Sequence, residues 1–388
     1  LLALVWLLRA FLRREVWPVT PFNPALLLFC LSVPPAVWAS AFPELTLPKL
    51  TGLILGLAAF RATGFLATTP RGLTVILTVF GLLGAGMWAV GLLGIQLPIL
   101  APLVHRLPSA LVSLPGAPEQ GINPNQLAGV LALYLPFVLT WLLVCLRRRQ
   151  IVWAVLFGLV ALAGAATLLV TRSRAGIVGI AAAVTALVIV SVYREGSLRQ
   201  KRWVVVAALV TVTAGLVAGG VFLPAWLAGT VASSQVEAPL GDALRQLSLE
   251  GRVEIWSRAL YALQDFPFTG VGLGTFRRVV NLLYPLFLIP ADIDIAHAHN
   301  IFLQVGVDLG LGGLVAYGAL LLVAGAVAWQ AMRGEDRMRG HIALGLLVAL
   351  IGLHVYGLAD ALALGSKPGL AFWLALGVLG ALAQLPSE

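Results

Sequence analysis

Long apolar runs fill most of the chain, and most are separated by short connections that carry lysine and arginine. Ten runs each contain about 17 or more mostly apolar residues, enough for a helix to cross a bilayer at about 1.5 Å per residue. Lipid offers no hydrogen-bond partner to a free backbone group, so we expect each run to be a transmembrane helix. The ten predicted spans are residues 23–42, 45–67, 72–95, 124–146, 151–171, 175–193, 203–223, 299–331, 341–362 and 369–385.

One long polar segment, residues 224–298, interrupts this pattern. Apolar residues at 253, 256, 260 and 263 have helical spacing, which predicts an amphipathic helix over Arg252–Asp265. Pro267 should end that helix, and the glycines from Gly270 to Gly274 should form a turn. The last long run, from His299 to Met332, is long enough for one helix whose first turns, with His299, project beyond the hydrocarbon.

This arrangement predicts three parts of the chain. We expect an N-terminal helix bundle over residues 1–223, a loop with amphipathic helices over 224–298, and C-terminal transmembrane helices over 299–388. The run at Leu1–Leu8 is too short to span a bilayer, and we interpret it as part of a truncated helix. The expected fold is therefore all-α, with about ten complete transmembrane helices.

Composition agrees with a polytopic membrane protein. Apolar residues make up 60% of the chain and charged residues 11%, whereas soluble domains carry about a quarter charged residues. Cys30 and Cys145 both lie in apolar runs, so neither a disulfide nor a metal site is expected from them. The net charge of +9 does not indicate nucleic-acid binding, because most basic residues lie in short connections beside the spans.

The positions of the basic residues predict the orientation. One set of connections and helix ends holds 15 of the 25 lysines and arginines, and the positive-inside rule makes that side cytoplasmic. The segment 224–298, the proline-rich segment 96–123 and the short turn at Arg172–Arg174 then face outward. The cytoplasmic set is Arg9, Arg13, Arg14, Arg61, Arg71, Arg147, Arg148, Arg149, Arg194, Arg199, Lys201, Arg202, Arg333, Arg337 and Arg339.

Arg172 and Arg174 form a charged turn between two apolar spans on the predicted outer face. One interpretation is a solvated turn with arginines that reach toward water. The other is an anion clamp, because arginine holds its charge and its planar guanidinium donates paired hydrogen bonds to phosphate.

The polar segment offers further candidates. Arg252, at the start of the predicted helix, is a candidate anion ligand, whereas Glu254 and Arg258 have the i,i+4 spacing of a solvated surface ion pair. His299 lies where the next span begins, and a histidine at that position suits general-base chemistry near neutral pH. His297 is a less favoured substitute for it.

A metal site is not predicted. The two histidines are separated by i,i+2 spacing, which does not place two imidazoles on one helix face. Asp292 and Asp294 form a D-x-D pair in a loop, and that pattern alone is weak evidence for a metal.

Several short motifs occur together in a characteristic order. They are Asn123-Pro124-Asn125, Ser173-Arg174-Ala175-Gly176, Arg252 with Trp256, Pro267 to Phe276, and His299-Asn300 followed by Gln304 and Gly310-Leu311-Gly312. With the helix count and the late outward loop, this order resembles the O-antigen ligase family. That family also includes O-antigen polymerases and bacterial protein O-oligosaccharyltransferases.

The resemblance implies a GT-C-like, multi-pass protein of the bacterial inner membrane whose active site faces the periplasm. It implies transfer of a glycan from undecaprenyl pyrophosphate to an acceptor hydroxyl; in a ligase the acceptor is lipid A-core. Membrane lipids surround the enzyme, and the resemblance implies no metal, nucleotide cofactor or nucleic acid. The family's essential positions match Arg174, Arg252 and His299. Arg172, His297, Asn300 and Trp256 are then expected to bind substrate.

Two alternatives remain open from the sequence. An O-antigen polymerase would use the same donor with another lipid-linked repeat as acceptor. A flippase or other transporter for lipid-linked glycans is a different class, but transporters typically place ionisable residues near the bilayer midplane. Here these residues gather at one face, which favours an enzyme.

Overall fold

The computed structural model describes residues 17–94, 124–195, 249–290 and 293–385, and every regular element within these ranges is an α-helix. The helices in these ranges are α1 (Asn23–Trp38), α2 (Pro43–Leu66), α3 (Pro70–Gly94), α4 (Pro124–Arg147), α5 (Ile151–Thr171), α6 (Arg174–Glu195), α7 (Leu249–Asp265), α8 (Phe276–Leu283), α9 (Ile301–Arg333), α10 (Arg337–Tyr356) and α11 (Gly369–Leu382).

The all-α, polytopic prediction is confirmed. Each predicted span that falls in the described ranges contains a helix, and α2 to α6, α9 and α10 are long and apolar enough to cross a membrane. The apolar helices α1 and α11 are shorter, at 16 and 14 residues. The predicted span 203–223 and the segment Leu1–Leu8 lie outside the described residues.

The buried centre of the bundle forms around α10. This helix packs against α4, α6 and α9, while α11 packs against α2 and α1 packs against α9. Small residues allow the closest approaches: a Cβ at Gly179 of α6 would meet the backbone of α10 at Gly352, and a Cβ at Gly56 of α2 would overlap the Trp373 ring of α11. Van der Waals packing of this kind is the main attraction between helices in lipid.

The segment before α9 has an apolar core of its own. Ile255 and Ala259 of α7 pack with Phe276 and Val280 of α8, and this cluster reaches Val307 of α9. The amphipathic helix predicted at Arg252–Asp265 is therefore present as α7, and its apolar face rests on the bundle.

A glycine-rich turn fixes this segment to a kink in α9. Gly310 has a φ of +71°, which interrupts the helix, and the freed Leu311 N–H donates to Pro267 O at 2.7 Å. Val271 N–H donates to the Val307 carbonyl at 2.8 Å. The continuous helix predicted from His299 to Met332 is thus wrong in two respects: α9 is kinked, and it begins at Ile301, after His299.

Candidate functional site

His299 is held in a strained backbone conformation at the start of α9. Its φ is +46°, a left-handed value that is uncommon outside glycine, and its side chain is buried. Its carbonyl accepts a hydrogen bond from Trp256 Nε1 at 3.2 Å, and its N–H donates to His297 Nδ1 at 3.2 Å. Strain of this kind persists only where the surroundings enforce it, and it is concentrated at functional sites.

The residues after His299 anchor it to the segment that follows α10. Asn300 Oδ1 caps α9 by accepting the N–H groups of Phe302 and Leu303, and Asn300 Nδ2 donates to Leu358 O at 3.0 Å. Ile301 N–H donates to Gly357 O at 2.7 Å. Both ends of the Asn300 amide therefore have backbone partners, which gives this residue a structural role; its expected contact with substrate stays a prediction.

A buried carboxylate, Asp360, faces both histidines. Asp360 Oδ1 lies 3.5 Å from His297 Nε2 and 3.6 Å from His299 Nδ1, and it accepts the N–H of Ala361 at 2.8 Å. The histidine distances are longer than direct hydrogen bonds but within the range of ion pairs. Sequence reasoning missed Asp360, although a carboxylate at the end of an apolar span, on the face predicted for His299, was a usable signal.

The hydrogen bonds indicate the protonation of this group. Because His297 Nδ1 accepts the His299 N–H, the neutral His297 ring carries its proton on Nε2, toward Asp360. Burial lowers the pKa of His297 to about 4; the nearby positive charges reinforce this, and Asp360 opposes it. Burial tends to raise the pKa of Asp360, but the two histidines and the Ala361 N–H outweigh that tendency, so its pKa lies below the usual value. At neutral pH, His297 is neutral and Asp360 is ionised.

Two arginines come to this group from separate helices. Arg252 lies in the first turn of α7 and is half-buried, and its Nε has no hydrogen-bond partner among the described residues. Arg174 begins α6 and is exposed; it is close enough to Arg252 for the two charges to repel. Arg252 also acts electrostatically on His297. The structure therefore brings Arg174, Arg252 and the histidines to one face of the bundle.

Trp256 and Arg172 are placed differently. Trp256 lies one helical turn after Arg252, and its indole holds the His299 carbonyl, so its observed contact positions the histidine. Arg172 is exposed, with a φ of +52°, in the turn between α5 and α6. Among the described contacts none joins the Arg172 side chain to this group, so its expected role in binding stays a prediction.

The Glu254–Arg258 pair is not the solvated bridge expected from its spacing. The carboxylate of Glu254 is buried and accepts the N–H groups of Phe287 and Leu288 at 2.6 and 2.9 Å. Arg258 lies 3.7 Å from that carboxylate and donates from Nε to Pro285 O at 3.0 Å. The pair ties α7 to the chain that follows α8, which the pattern of charges alone could not show.

The histidines and Asp360 also form a possible metal-ligand set. One ligand atom from each of the three residues lies within 4.8 Å of the others, and two imidazoles with a carboxylate is a donor set found at catalytic zinc. The argument from helix spacing was wrong, since His297 and His299 precede the helix and their ring centroids are 4.4 Å apart. However, Lys49 and Arg252 place positive charge on this group, which opposes binding of a dication.

Asp294, the described member of the D-x-D pair, is not part of this set. Asp294 is exposed and pairs with Arg277, and Asp292 lies outside the described residues.

A known protein family matches the part of the chain that holds most of these residues. Residues 159–318 match the model of a family described as O-Antigen ligase. The match spans the Arg172–Arg174 turn, α7 and the histidine segment, whereas Asp360 lies beyond its end. The comparison with curated proteins found no match.

Proposed function

Since the chain belongs to the O-antigen ligase family, a family of ligase- and polymerase-type glycosyltransferases, we propose that it transfers a glycan from undecaprenyl pyrophosphate to an acceptor hydroxyl. The donor's lipid tail stays in the hydrocarbon while its pyrophosphate reaches the face that carries Arg174, Arg252 and His299. We assign that face to the periplasm and the protein to the bacterial inner membrane, following the positive-inside distribution.

The observation that carries this proposal is the placement of His299. A buried, conformationally strained histidine lies against an ionised carboxylate; Arg252 acts on the neighbouring His297, and Arg174 lies near Arg252. This combination supplies a proton acceptor and fixed positive charge at one end of a membrane bundle. Both are needed when a hydroxyl displaces a pyrophosphate group.

His299 acts as the general base in this proposal. Asp360 faces its Nδ1, which favours the tautomer with the proton on Nδ1 and leaves Nε2 free to accept one. As the acceptor oxygen attacks the anomeric carbon, its proton passes to Nε2 and the new C–O bond forms. The bond from the anomeric carbon to the phosphate oxygen breaks, and its electron pair leaves with undecaprenyl pyrophosphate. A direct displacement of this kind inverts the anomeric configuration.

The arginines stabilise the departing charge. Negative charge grows on the phosphate oxygens as the bond breaks, and fixed positive groups at a water-poor interface lower the energy of that state. Arg252 suits this role because it is half-buried and its Nε is unpaired among the described residues. Arg174 adds a second positive charge near Arg252, from a separate helix, at the start of α6.

Ligase and polymerase activities differ only in the acceptor. We propose lipid A-core as the first acceptor, as in an O-antigen ligase; the runner-up is a second undecaprenyl-linked repeat, as in a polymerase. The test is reconstitution of the full chain with a defined undecaprenyl-pyrophosphate glycan and each acceptor in turn, in the presence of EDTA. Product on lipid A-core supports the ligase, and product on the lipid-linked repeat supports the polymerase.

Other outcomes of the same experiment would contradict the mechanism. Retention at the anomeric carbon would exclude direct displacement. Transfer that requires a restored divalent cation would assign a metal to His297, His299 and Asp360 instead of a base. Movement of the donor across the bilayer without any transfer product would favour the transporter class.

A further inference from the structure

A basic cavity lies at the opposite end of the bundle from the candidate site. It has a volume of about 820 Å³ and opens between the ends of α4, α6, α9 and α10. Among the residues that the structure describes, its lining carries five arginines and one acidic residue, so its charge is strongly positive. These charged lining residues are Arg147, Arg148, Arg194, Arg333, Arg337 and Glu335.

The wall of this cavity is partly apolar and aromatic. The Arg333 guanidinium lies over the Trp329 ring, 4.8 Å from its centroid, and Tyr193 lies 5.8 Å from Trp329 between ring centroids. Val144 and Met332, which are buried, also line the cavity. Positive charge beside an apolar and aromatic surface suits a ligand that has an anionic group next to an apolar portion.

The positive-inside rule explains basic residues on this face, but not their convergence on one cavity. Arg71 and Arg149 belong to the same predicted face and are exposed without lining the cavity. Arg339 also stays outside it, where it pairs with Asp336 at 2.9 Å. The arginines of this face therefore fall into two groups. Arg71, Arg149 and Arg339 lie outside the cavity, whereas the arginines that line it come from the ends of four helices.

We propose that this cavity binds a phosphate-bearing anion, either the headgroup of an anionic glycerophospholipid or a soluble phosphate. Arginine is the suited residue, because its planar guanidinium donates paired hydrogen bonds to phosphate oxygens. Basic pockets between transmembrane helices are a known setting for anionic lipid headgroups. The proposal is independent of the glycosyl-transfer reaction, since none of the candidate catalytic residues lines the cavity.

The test compares two double variants of the full chain, purified in detergent and stripped of lipid. Arg148→Gln with Arg337→Gln removes two charges from the cavity, and Arg71→Gln with Arg149→Gln removes two charges from the same face outside it. Native mass spectrometry measures binding of phosphatidylglycerol and of phosphatidylcholine, and calorimetry measures binding of inorganic phosphate.

We expect the wild type and the control double variant to bind phosphatidylglycerol, and the cavity variant to bind it at least about tenfold more weakly. Saturable binding of inorganic phosphate alone, with the same dependence on Arg148 and Arg337, would support the soluble source. The proposal is overturned if neither anion binds, if phosphatidylcholine binds equally well, or if both double variants lose the same affinity. Thermal unfolding of each variant separates lost binding from lost folding.

Discussion

The His299 Nδ1 atom lies 3.6 Å from Asp360 Oδ1, although 60 positions of sequence, with the whole of α9 and α10, separate the two residues. His299 precedes α9 and Asp360 follows α10, so the contact depends on how the two helices pack. The Ile301–Gly357 and Asn300–Leu358 hydrogen bonds hold the same junction together. The carboxylate can therefore orient the histidine ring without being part of its own segment.

Replacement of Asp360 by asparagine should lower turnover while the donor still binds. The substitution keeps the size of the side chain but removes the charge that favours a proton on His299 Nδ1, so we expect kcat to fall by roughly 10²-fold. Steady-state kinetics with the lipid-linked donor would measure kcat and KM separately. Asp265→Asn is the matched control, because that carboxylate bonds only to the Tyr284 hydroxyl among the described contacts and lies away from the histidines. An equal effect of both changes would contradict a positioning role.

Acid should destabilise the wild-type protein through His297. Its folded pKa of about 4 lies below the ordinary 6.5, so between these values the unfolded chain binds a proton that the folded chain refuses. Stability should fall by up to roughly 3 kcal/mol as pH drops from 6.5 to 4. The charged and titratable groups acting on His297 are His299, Asp360, Lys49 and Arg252.

Thermal unfolding of the wild type and of His297→Gln across this pH range tests the assignment. Glutamine can still accept the His299 N–H but does not titrate, so its curve should be flatter. Asp360 should add little to the pH dependence of stability in this window. Because its folded pKa is lowered, its contribution to stability is lost only when the pH falls below the usual carboxylate range. Parallel curves for the two proteins would show that His297 is not the titrating group.

Gly310→Ala should loosen the segment that carries α7. Gly310 has a φ of +71° and a ψ of −173°, a region essentially confined to glycine, so alanine there costs about 1–3 kcal/mol. Its Cβ would also press on the backbone of Phe268. We expect a lower unfolding temperature and faster proteolysis within the glycine-rich turn. Gly318→Ala in the same helix is the control: nothing lies within 4 Å of that Cβ, so it should be neutral or stabilising. Equal destabilisation by both would argue against the kink as the anchor.

Arg252→Ala and Arg174→Ala should each reduce transfer strongly while the protein remains folded. Loss of one charge-assisted contact to a phosphate group in the transition state should cost about 10²-fold in rate. Arg278→Ala removes an exposed arginine from the same segment and should leave the rate near wild type. Transfer assays, with size-exclusion profiles of each variant, would distinguish a catalytic loss from unfolding. Unfolding of the Arg252 or Arg174 variant alone would instead indicate a structural role.

Hydrophobic patterning was sufficient to predict most of the fold. The spans at residues 124–146 and 151–171 agree closely with α4 and α5, because an apolar stretch in lipid has only helix available to it. The kink at Gly310 could not be predicted this way. Its cause is a tertiary contact, the hydrogen bond from Leu311 N–H to Pro267 O, and an apolar run has the same composition with or without it.

The candidate site was only partly accessible from the sequence. Arg174, Arg252 and His299 could be proposed because ionisable residues are costly in this setting. Asp360 was missed because its importance depends on the packing of α10 beside the histidine segment, not on any local motif. The spacing rule failed for His297 and His299 since it assumes a helix, and the backbone there is not helical.

The most direct test of His299 as the general base is single-turnover glycosyl transfer by His299→Gln, with bound donor measured in the same sample. We expect the donor still to bind and the transfer rate to fall by about 10²–10⁴-fold, since glutamine keeps polarity but cannot accept the acceptor's proton. Transfer at the wild-type rate by the folded variant would contradict the assignment of His299 as the base.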